Sequence, residues 1–536
     1  SMSTILKNSE SLYPFFGNKM SFIRGLDPLG LQNNSEATFA MLLPGLNNVT
    51  GRLRYYSFYC WLLDLYSKMV KSTDPKKQEA FIRKGEYLLA LITVNSGVVF
   101  DHIPGSNYSL TVLNKSKDSI NLNKGIYTEK GQTEGSYWKY SNGAFGQYYS
   151  ASLISMGIIM TRDDDSRLYF RSNAEDSNFI SGEKLANAFD ENIEKEDKEI
   201  FIDCLKTGKV SKEQLITLSR SFNAMEIPQK TEESKLLYEM LVQQDFPLIV
   251  EDEYKTFHRK ETIKAVLYFF NSENKDFKKS TINFTSHQYK NSAKVNQLNN
   301  ETLFGWYYYQ FNDYWQFSCT AIFNGLLNNL HFDFGLQNVR LSDFIHQQSE
   351  EITDLIYATF HLSNEVKTIE DFIQHLSGIN EINVEMLTDF RELDTTERIV
   401  NSILLILRLY IDNKDNLEIL KAYGERNKIV RDGEASNYFL TEFIHKIKFS
   451  IEDFVFDFIK QHIILRHHFV AFRKIGGGTQ TTQKFIIEEN FIRYIDNFEP
   501  NFTSPRLTTL YSFLRDLKLI SDDCLTELGS EKIQNL

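Results

Sequence analysis

The chain has 536 residues, of which 42% are hydrophobic and 24% charged, a balance typical of globular proteins with a large core. Its formal net charge of −12 weighs against nucleic acid as the main partner, because binding to phosphate groups usually requires a basic surface. Four scattered cysteines without a CxxC pair argue against zinc and against a disulfide framework, and they favour a reducing cytoplasm. Abundant Phe, Tyr, Asn, Ile and Lys with only 9 prolines resemble a bacterial proteome of low GC content.

The first strong helix is predicted over RLRYYSFYCWLLDLYSKM, after the turn-rich connector PGLNNVTG. Arg52 and Arg54 stand at its start, where the helix dipole disfavours a cation. Their position requires either an acidic partner inside the fold or a bound anion. Arg52 and Arg54 are therefore candidate anion-binding residues, with an internal salt bridge as the alternative. A second helix is predicted from Lys76 to Val94.

Residues 143–193 have the pattern of a winged helix, namely helix, β-hairpin and helix. Gly157 follows an apolar helix face, as a C-terminal glycine does. IIMT and RLYFR flank the turn-forming DDDS and predict a hairpin. Ser181 is the predicted N-cap of the next helix. The face of the first helix is formed by Phe145, Tyr149, Leu153 and Met156.

A series of helices is predicted through the centre of the chain. The segment 302–330 is rich in aromatic residues on every side, which favours a buried core helix over a base-stacking surface or a membrane span. No segment is predicted to cross a membrane. The other predicted helices lie at 195–207, 211–224, 230–245, 340–362, 367–377, 383–390, 395–412 and 414–424.

The last hundred residues predict a long amphipathic helix at 437–472, either continuous or broken once, and a β-hairpin formed by FRKI, a glycine-rich turn and KFIIEE. A second, weaker winged-helix pattern covers 504–536. In it, Ser504 is the predicted N-cap and Pro505 the first helical residue.

These elements predict a mainly α, multi-domain helical protein with two winged-helix-like modules, each a helix plus a β-hairpin. The predicted N-terminal helical domain, 1–200, ends in the first module. A central helical domain covers 201–430. The C-terminal domain, 431–536, contains the long helix, the hairpin and the second module.

Winged helices often bind DNA, but the first predicted helix, 143–156, contains no Arg or Lys. The densest cationic cluster lies instead at 466–474, and the second module adds three further cations that have aspartates beside them. An amphipathic helix end, where cations are favoured, is the structural alternative for 466–474. The candidate nucleic-acid-binding residues are Arg466, His467, Arg473, Lys474, Arg506, Arg515 and Lys518.

No catalytic residue is assigned. Asp245 with Glu253 and Lys255 has the approximate spacing of a magnesium-dependent nuclease site. Arg340 and His346 have the spacing of a helical ribonuclease site. Charged residues are dense around the first pattern, so a chance match is expected, and in the second the usual polar residue after the Arg is replaced by Leu341.

No metal or cofactor is predicted either. Gly476–Gly478 lacks the Lys-Ser/Thr that follows a P-loop glycine and is interpreted as a hairpin turn. His467 and His468 are adjacent, so on a helix they point about 100° apart and cannot chelate one ion together.

Three functions remain open. The first is a non-enzymatic adaptor or subunit of a bacterial multi-protein assembly in the cytoplasm, in DNA maintenance or phage defence, acting through winged-helix and helical surfaces. The second is a DNA-binding protein that uses the C-terminal module and the 466–474 cluster. The third is a nuclease whose active site the sequence does not reveal.

Overall fold

A computed structural model describes most of the chain, with the backbone alone at 474 and 475. Helix accounts for 64% of the described residues and strand for 6%, which confirms the prediction of a mainly α protein. The described residues are 27–97, 100–126, 135–162, 167–174, 179–243, 258–272, 280–291, 300–475, 482–522 and 524–536.

The helices are numbered here in chain order. The first twelve are α1 (Gln32–Leu42), α2 (Arg54–Met69), α3 (Pro75–Ser96), α4 (Ser106–Lys115), α5 (Leu122–Ile126), α6 (Ser150–Ser155), α7 (Gly182–Glu191), α8 (Lys195–Thr207), α9 (Lys212–Leu218), α10 (Glu232–Val242), α11 (His258–Phe270) and α12 (Thr281–Lys290). The others are α13 (Glu301–Phe334), α14 (Leu341–Phe360), α15 (Ile369–Ser377), α16 (Val384–Thr388), α17 (Thr395–Asn413), α18 (Leu417–Arg426), α19 (Ala435–Thr441), α20 (Ile451–Phe458), α21 (Leu465–Ile475), α22 (Leu507–Asp516) and α23 (Glu527–Asn535).

Seven short strands form three small antiparallel sheets. They are β1 (Ser119–Asn121), β2 (Ile159–Thr161), β3 (Tyr169–Arg171), β4 (Lys209–Ser211), β5 (Val339–Arg340), β6 (Phe485–Glu488) and β7 (Phe491–Tyr494). β1 pairs with β4, β2 pairs with β3, and the third sheet has the order β5-β7-β6.

Two compact units make up the described chain, and neither is continuous in sequence. Unit 1 contains 27–41 and 285–503, and unit 2 contains 42–284 and 504–536. The boundaries between units therefore fall at 41/42, 284/285 and 503/504. The division into domains at 1–200, 201–430 and 431–536 stays a prediction.

Unit 2 is built around α2, which is buried from its first residue to Tyr66. Aromatic side chains hold α7 against it, because the Trp61 and Phe189 rings lie 5.4 Å apart between centroids. Trp61 also meets Phe201 and Phe222, whose rings stack at 4.3 Å. The amphipathic pattern of RLRYYSFYCWLLDLYSKM thus predicted this helix correctly.

The predicted order of helix, hairpin and helix in 143–193 is confirmed. A π-helical turn, Phe145–Tyr149, leads into α6, and β2 pairs antiparallel with β3. Ser181 caps α7 as predicted, because its Oγ accepts a hydrogen bond from the Lys184 N–H at 3.2 Å. The winged-helix interpretation of these elements stays a prediction.

The first helix of the C-terminal segment 504–536 begins later than predicted. Ser504 was predicted as the N-cap and Pro505 as the first helical residue, but α22 begins at Leu507. Arg506 precedes it with a φ of 67°, a left-handed conformation that a right-handed helix cannot include. After α22, a single β-bridge joins Ile520 to Leu525, and α23 follows.

Unit 1 is built around the aromatic helix α13, whose side chains are buried on all sides through most of its 34 residues, as predicted. It packs closely on α17. A Cβ at Gly325 would lie 2.3 Å from Ile399 Cγ1, so the close approach of the two helices requires glycine. Within the described residues, no helix is both long and apolar enough to cross a membrane.

The predicted helix 437–472 is interrupted. α19 is followed by a 3₁₀ turn, Phe443–His445, then by α20, a π-helical turn at Ile459–Ile464 and α21. The prediction that FRKI is a strand is wrong, because these residues form the last turn of α21. The hairpin is formed by β6 and β7 instead.

Candidate functional site

An open cleft of about 530 Å³ lies within unit 1. One wall is the face of α21 and of the π-helical turn before it. Asp457 of α20 continues this face, and the other lining residues come from the end of α19, the turn after it and the loop before α19. The lining residues are Asp432, Glu442, Lys446, Asp457, Gln461, His462, Leu465, Arg466 and Phe469.

The α21 wall is one helical face. Its residues recur at spacings of three and four, whereas Ile463, Ile464 and Val470 point into the core. The π-helical turn immediately precedes this face, and such turns are frequent at functional sites. We call this wall and its continuation along α21 the α21 face, defined as His462, Leu465, Arg466, Phe469, Phe472 and Arg473, of which the last three are exposed.

His462 and Lys446 both contact carboxylates that line the cleft. His462 Nε2 lies 2.7 Å from Glu442 Oε2. Lys446 Nζ donates to Asp457 Oδ2 at 2.5 Å and lies 4.0 Å from Glu442 Oε2. The neighbouring His462 imidazole is the main cause of a pKa of Glu442 below its ordinary value. Glu442 is therefore held in its ionised form.

Arg466 and His467 are held by the backbone of residues 28–30. Arg466 Nε donates to the Leu29 carbonyl at 2.6 Å, and its Nη1 lies 3.5 Å from Asp432 Oδ2. His467 is fully buried, with Nδ1 2.8 Å from the Pro28 carbonyl oxygen. The Lys484 N–H donates to His467 Nε2 at 3.0 Å. Both residues thus have structural roles in unit 1.

Among the described side chains of the predicted cluster 466–474, Arg473 is the exposed cation. Its guanidinium carbon lies 4.7 Å from the centroid of the Phe469 ring, and its Nη2 lies 4.0 Å from Asp432 Oδ2. The side chain of Lys474 lies outside the described part of the structure. Beside Arg473, the rings of Phe469 and Phe472 are 59% and 66% exposed, which is unusual for two phenylalanines one turn apart.

The three candidate cations of the second module lie in unit 2. Arg506 Nη1 donates to the Leu43 carbonyl at 3.0 Å, and its N–H donates to Asn48 Oδ1 at 3.1 Å. Arg506 therefore fixes the chain before α22. Arg515 and Lys518 are exposed at the end of that helix.

Arg52 and Arg54 both have acidic partners within unit 2. Arg52 Nη1 donates to Asp516 Oδ1 at 2.6 Å. Arg54 Nε donates to Glu233 Oε2 at 3.2 Å, and Ser57 Oγ donates to the same oxygen at 2.8 Å. The internal salt bridge therefore accounts for both arginines, and anion binding by them stays a prediction.

Of the two nuclease patterns, only Arg340 with His346 lies in the described part of the structure. Asp245, Glu253 and Lys255 lie outside the described residues, as does Gly476–Gly478. Arg340 belongs to β5 and not to a helix, so it and His346 do not share one helical face as predicted.

All four cysteines are free thiols, and within the described ranges no group of three or more His, Cys, Asp or Glu is placed to hold a metal ion. The chain matches no family model, and no curated protein or solved structure is detectably similar to it.

Sequence reasoning located Arg466 and Arg473 but missed the cleft that they border. The predicted helix 437–472 already contains Phe469 and Phe472 three residues apart, so its period places both on one face, but their exposure depends on how the folded chain packs. The carboxylates of Asp432, Glu442 and Asp457 come from separate elements, so no spacing in the sequence brings them together.

Proposed function

We propose that the chain is a non-enzymatic adaptor or subunit that binds another protein through the α21 face. The observation that carries this proposal is the exposure of Phe469 and Phe472 beside an open cleft. Adjacent exposed aromatic side chains with a charged surround are the composition of a protein-binding hot spot. A bacterial multi-protein assembly, in DNA maintenance or phage defence, is the setting in which we expect such a subunit.

The charges beside the α21 face support a protein partner over DNA. Arg466 is bound to the Leu29 carbonyl and His467 is buried, so neither extends toward a phosphate. Asp432, Glu442 and Asp457 line the same cleft and would repel one. Arg473 alone, among the described side chains of the cluster, is available as an exposed cation.

DNA binding by the C-terminal module is the second proposal. It is supported by the exposure of Arg515 and Lys518 at the end of α22, and by the winged-helix-like order of elements that we propose for 504–536. The adjoining Asp516 is buried and paired with Arg52, so it offsets these cations less than the sequence alone suggests.

The adaptor proposal is tested by affinity capture from the native host with the tagged full chain. Proteins retained by the wild type are identified, purified and titrated against the double variant Phe469→Ser with Phe472→Ser. We expect the affinity of at least one partner to fall about tenfold or more. A matched control is Phe332→Ser with Leu336→Ser, since these residues are also exposed in unit 1. Equal affinities of all partners for the two variants would overturn the proposal.

The DNA proposal is tested by titrating labelled duplex DNA at about 50 mM and 200 mM salt. If the second module binds phosphate groups, Arg515→Ala with Lys518→Ala weakens binding and lowers its dependence on salt. Absence of binding at the lower salt concentration would remove this alternative.

A further inference from the structure

We infer that the cleft beside the α21 face receives a basic amphipathic helix of the partner protein. This inference rests on the proposed adaptor function and specifies the chemistry of the partner. Two features of the cleft carry it, namely the spacing of its apolar side chains and the exposure of its carboxylates.

The apolar side chains of the α21 face lie one turn apart along the helix. Leu465, Phe469 and Phe472 stand at i, i+4 and i+7, and the α21 face from His462 to Arg473 is about 17 Å long. Side chains in this arrangement form ridges and grooves that fit those of a second helix. A helix of about twelve residues with apolar anchors at i, i+3 or i+4, and i+7 matches that length.

The carboxylates of the cleft are more exposed than the cations with which they pair. The side chain of Asp432 is 72% exposed, whereas that of its partner Arg466 is 16% exposed. Glu442 is 46% exposed and its partner His462 is 17% exposed. An approaching segment therefore meets the carboxylates of Asp432 and Glu442 before Arg466 and His462, while Arg473 beside them is itself 54% exposed. Such a rim attracts lysine and arginine side chains and repels acidic ones.

Together the two features define an amphipathic helix whose apolar stripe covers Phe469 and Phe472 and whose cations reach Asp432 and Glu442. The exposed carboxylates argue against a phosphate-rich ligand in the same place. A helix supplies both groups from adjacent faces, because residues three and four apart in its sequence are neighbours on its surface.

The test uses the full chain and two labelled synthetic peptides of about 18 residues, a length at which helices form in water. Both carry the same leucine stripe; one has lysine and the other glutamate on its polar face. Fluorescence anisotropy measures their affinities. We expect the lysine peptide to bind about tenfold or more tightly than the glutamate peptide. Phe469→Ser with Phe472→Ser should weaken its binding by about tenfold or more.

Charge-reversal variants test whether the preference for the lysine peptide comes from the cleft or from the negative net charge of the whole chain. Asp432→Lys with Glu442→Lys should abolish the preference for the lysine peptide. Glu350→Lys with Asp354→Lys changes the net charge equally at exposed positions of α14 and should preserve it. Equal effects of the two pairs would overturn the inference, because the preference would then come from net charge alone. Unchanged affinity in the phenylalanine double variant would overturn it as well.

Two other occupants are distinguished by the same variants. Self-association of the wild type that is lost on replacing Phe469 and Phe472 would assign the cleft to a second copy of this chain and overturn the inference. A captured partner that needs these two phenylalanines but binds through an acidic segment would overturn the inference and leave the adaptor function standing. If no partner needs them, both fail.

Discussion

Arg54 in unit 2 and Arg466 in unit 1 both pair with a carboxylate, but the two pairs have different surroundings. Glu233 is fully buried and accepts hydrogen bonds from Arg54 and Ser57. Asp432 extends into solvent beside an open cleft. The first pair is part of a core, whereas the second leaves a carboxylate available to a partner. Two ion pairs of the same chemistry therefore differ in role: the buried pair stabilises a core, and the exposed pair leaves its carboxylate accessible to solvent.

The largest expected effect separates these two pairs directly. Glu233→Ala leaves the guanidinium of Arg54 buried without its carboxylate, so the free energy of unfolding should fall by about 3–5 kcal/mol. Asp432→Ala removes an exposed partner and should change it by less than about 1 kcal/mol. Urea unfolding monitored by fluorescence compares the two. Losses of similar size would contradict the distinction between the two regions.

A smaller effect concerns pH in unit 2. Burial raises the pKa of Asp516 from 3.8 to about 6, despite the nearby Arg52 guanidinium and Leu53 N–H. The folded state then binds this proton more tightly than the unfolded state. The free energy of unfolding therefore decreases as the pH rises from about 4 to about 6, by about 2–3 kcal/mol for this group.

Asp516→Asn should remove that share of the pH dependence. Unfolding of the wild type and the variant at several pH values from about 4 to 7 gives the difference between their slopes. Parallel stability profiles over this range would contradict the raised pKa. Asp313 in unit 1, whose pKa burial also raises to about 6, contributes equally to both proteins and cancels in the comparison.

For Glu442 at the cleft, the free energy of unfolding should change with pH in the opposite direction. Its pKa is lowered, mainly by His462, so its contribution to stability is present above the ordinary pKa of the group and is lost as the pH falls through the folded value. Because the side chain is half exposed, the contribution should stay below about 1 kcal/mol. Glu442→Gln should therefore destabilise slightly at neutral pH and have no effect in acid. A larger effect in acid than at neutral pH would reverse the assigned sign.

The smallest effect on stability is expected at the α21 face. Phe469→Ser with Phe472→Ser removes two exposed rings and should change the free energy of unfolding by about 0.5 kcal/mol or less per residue. Thermal or urea unfolding measures this. A loss of several kcal/mol would assign the two rings to the core and remove the basis for a docking surface.

Features with a local physical cause could be predicted from the sequence. The apolar periods of α2 and α7, the aromatic residues on every side of α13 and the cap at Ser181 depend on neighbours within a few residues. The need of Arg54 for an acidic partner followed in the same way from the helix dipole.

The partners themselves could not be predicted, because they meet only in the folded chain. Glu233 lies 179 residues from Arg54, and Asp516 lies 464 residues from Arg52. FRKI stands before a glycine-rich turn and so fits the first strand of a hairpin, although its continuity with the preceding helix decides its structure. The cleft is lined by three carboxylates that come from separate elements, so no local sequence pattern predicts that they lie together.

The most direct test of the central claim is the affinity of the full chain for the lysine-rich helical peptide, before and after replacement of Phe469 and Phe472 by serine. We expect the double variant to keep the stability of the wild type and to bind the peptide about tenfold or more weakly, and Phe332→Ser with Leu336→Ser to bind as the wild type does. Equal peptide affinity in all three proteins would contradict this claim.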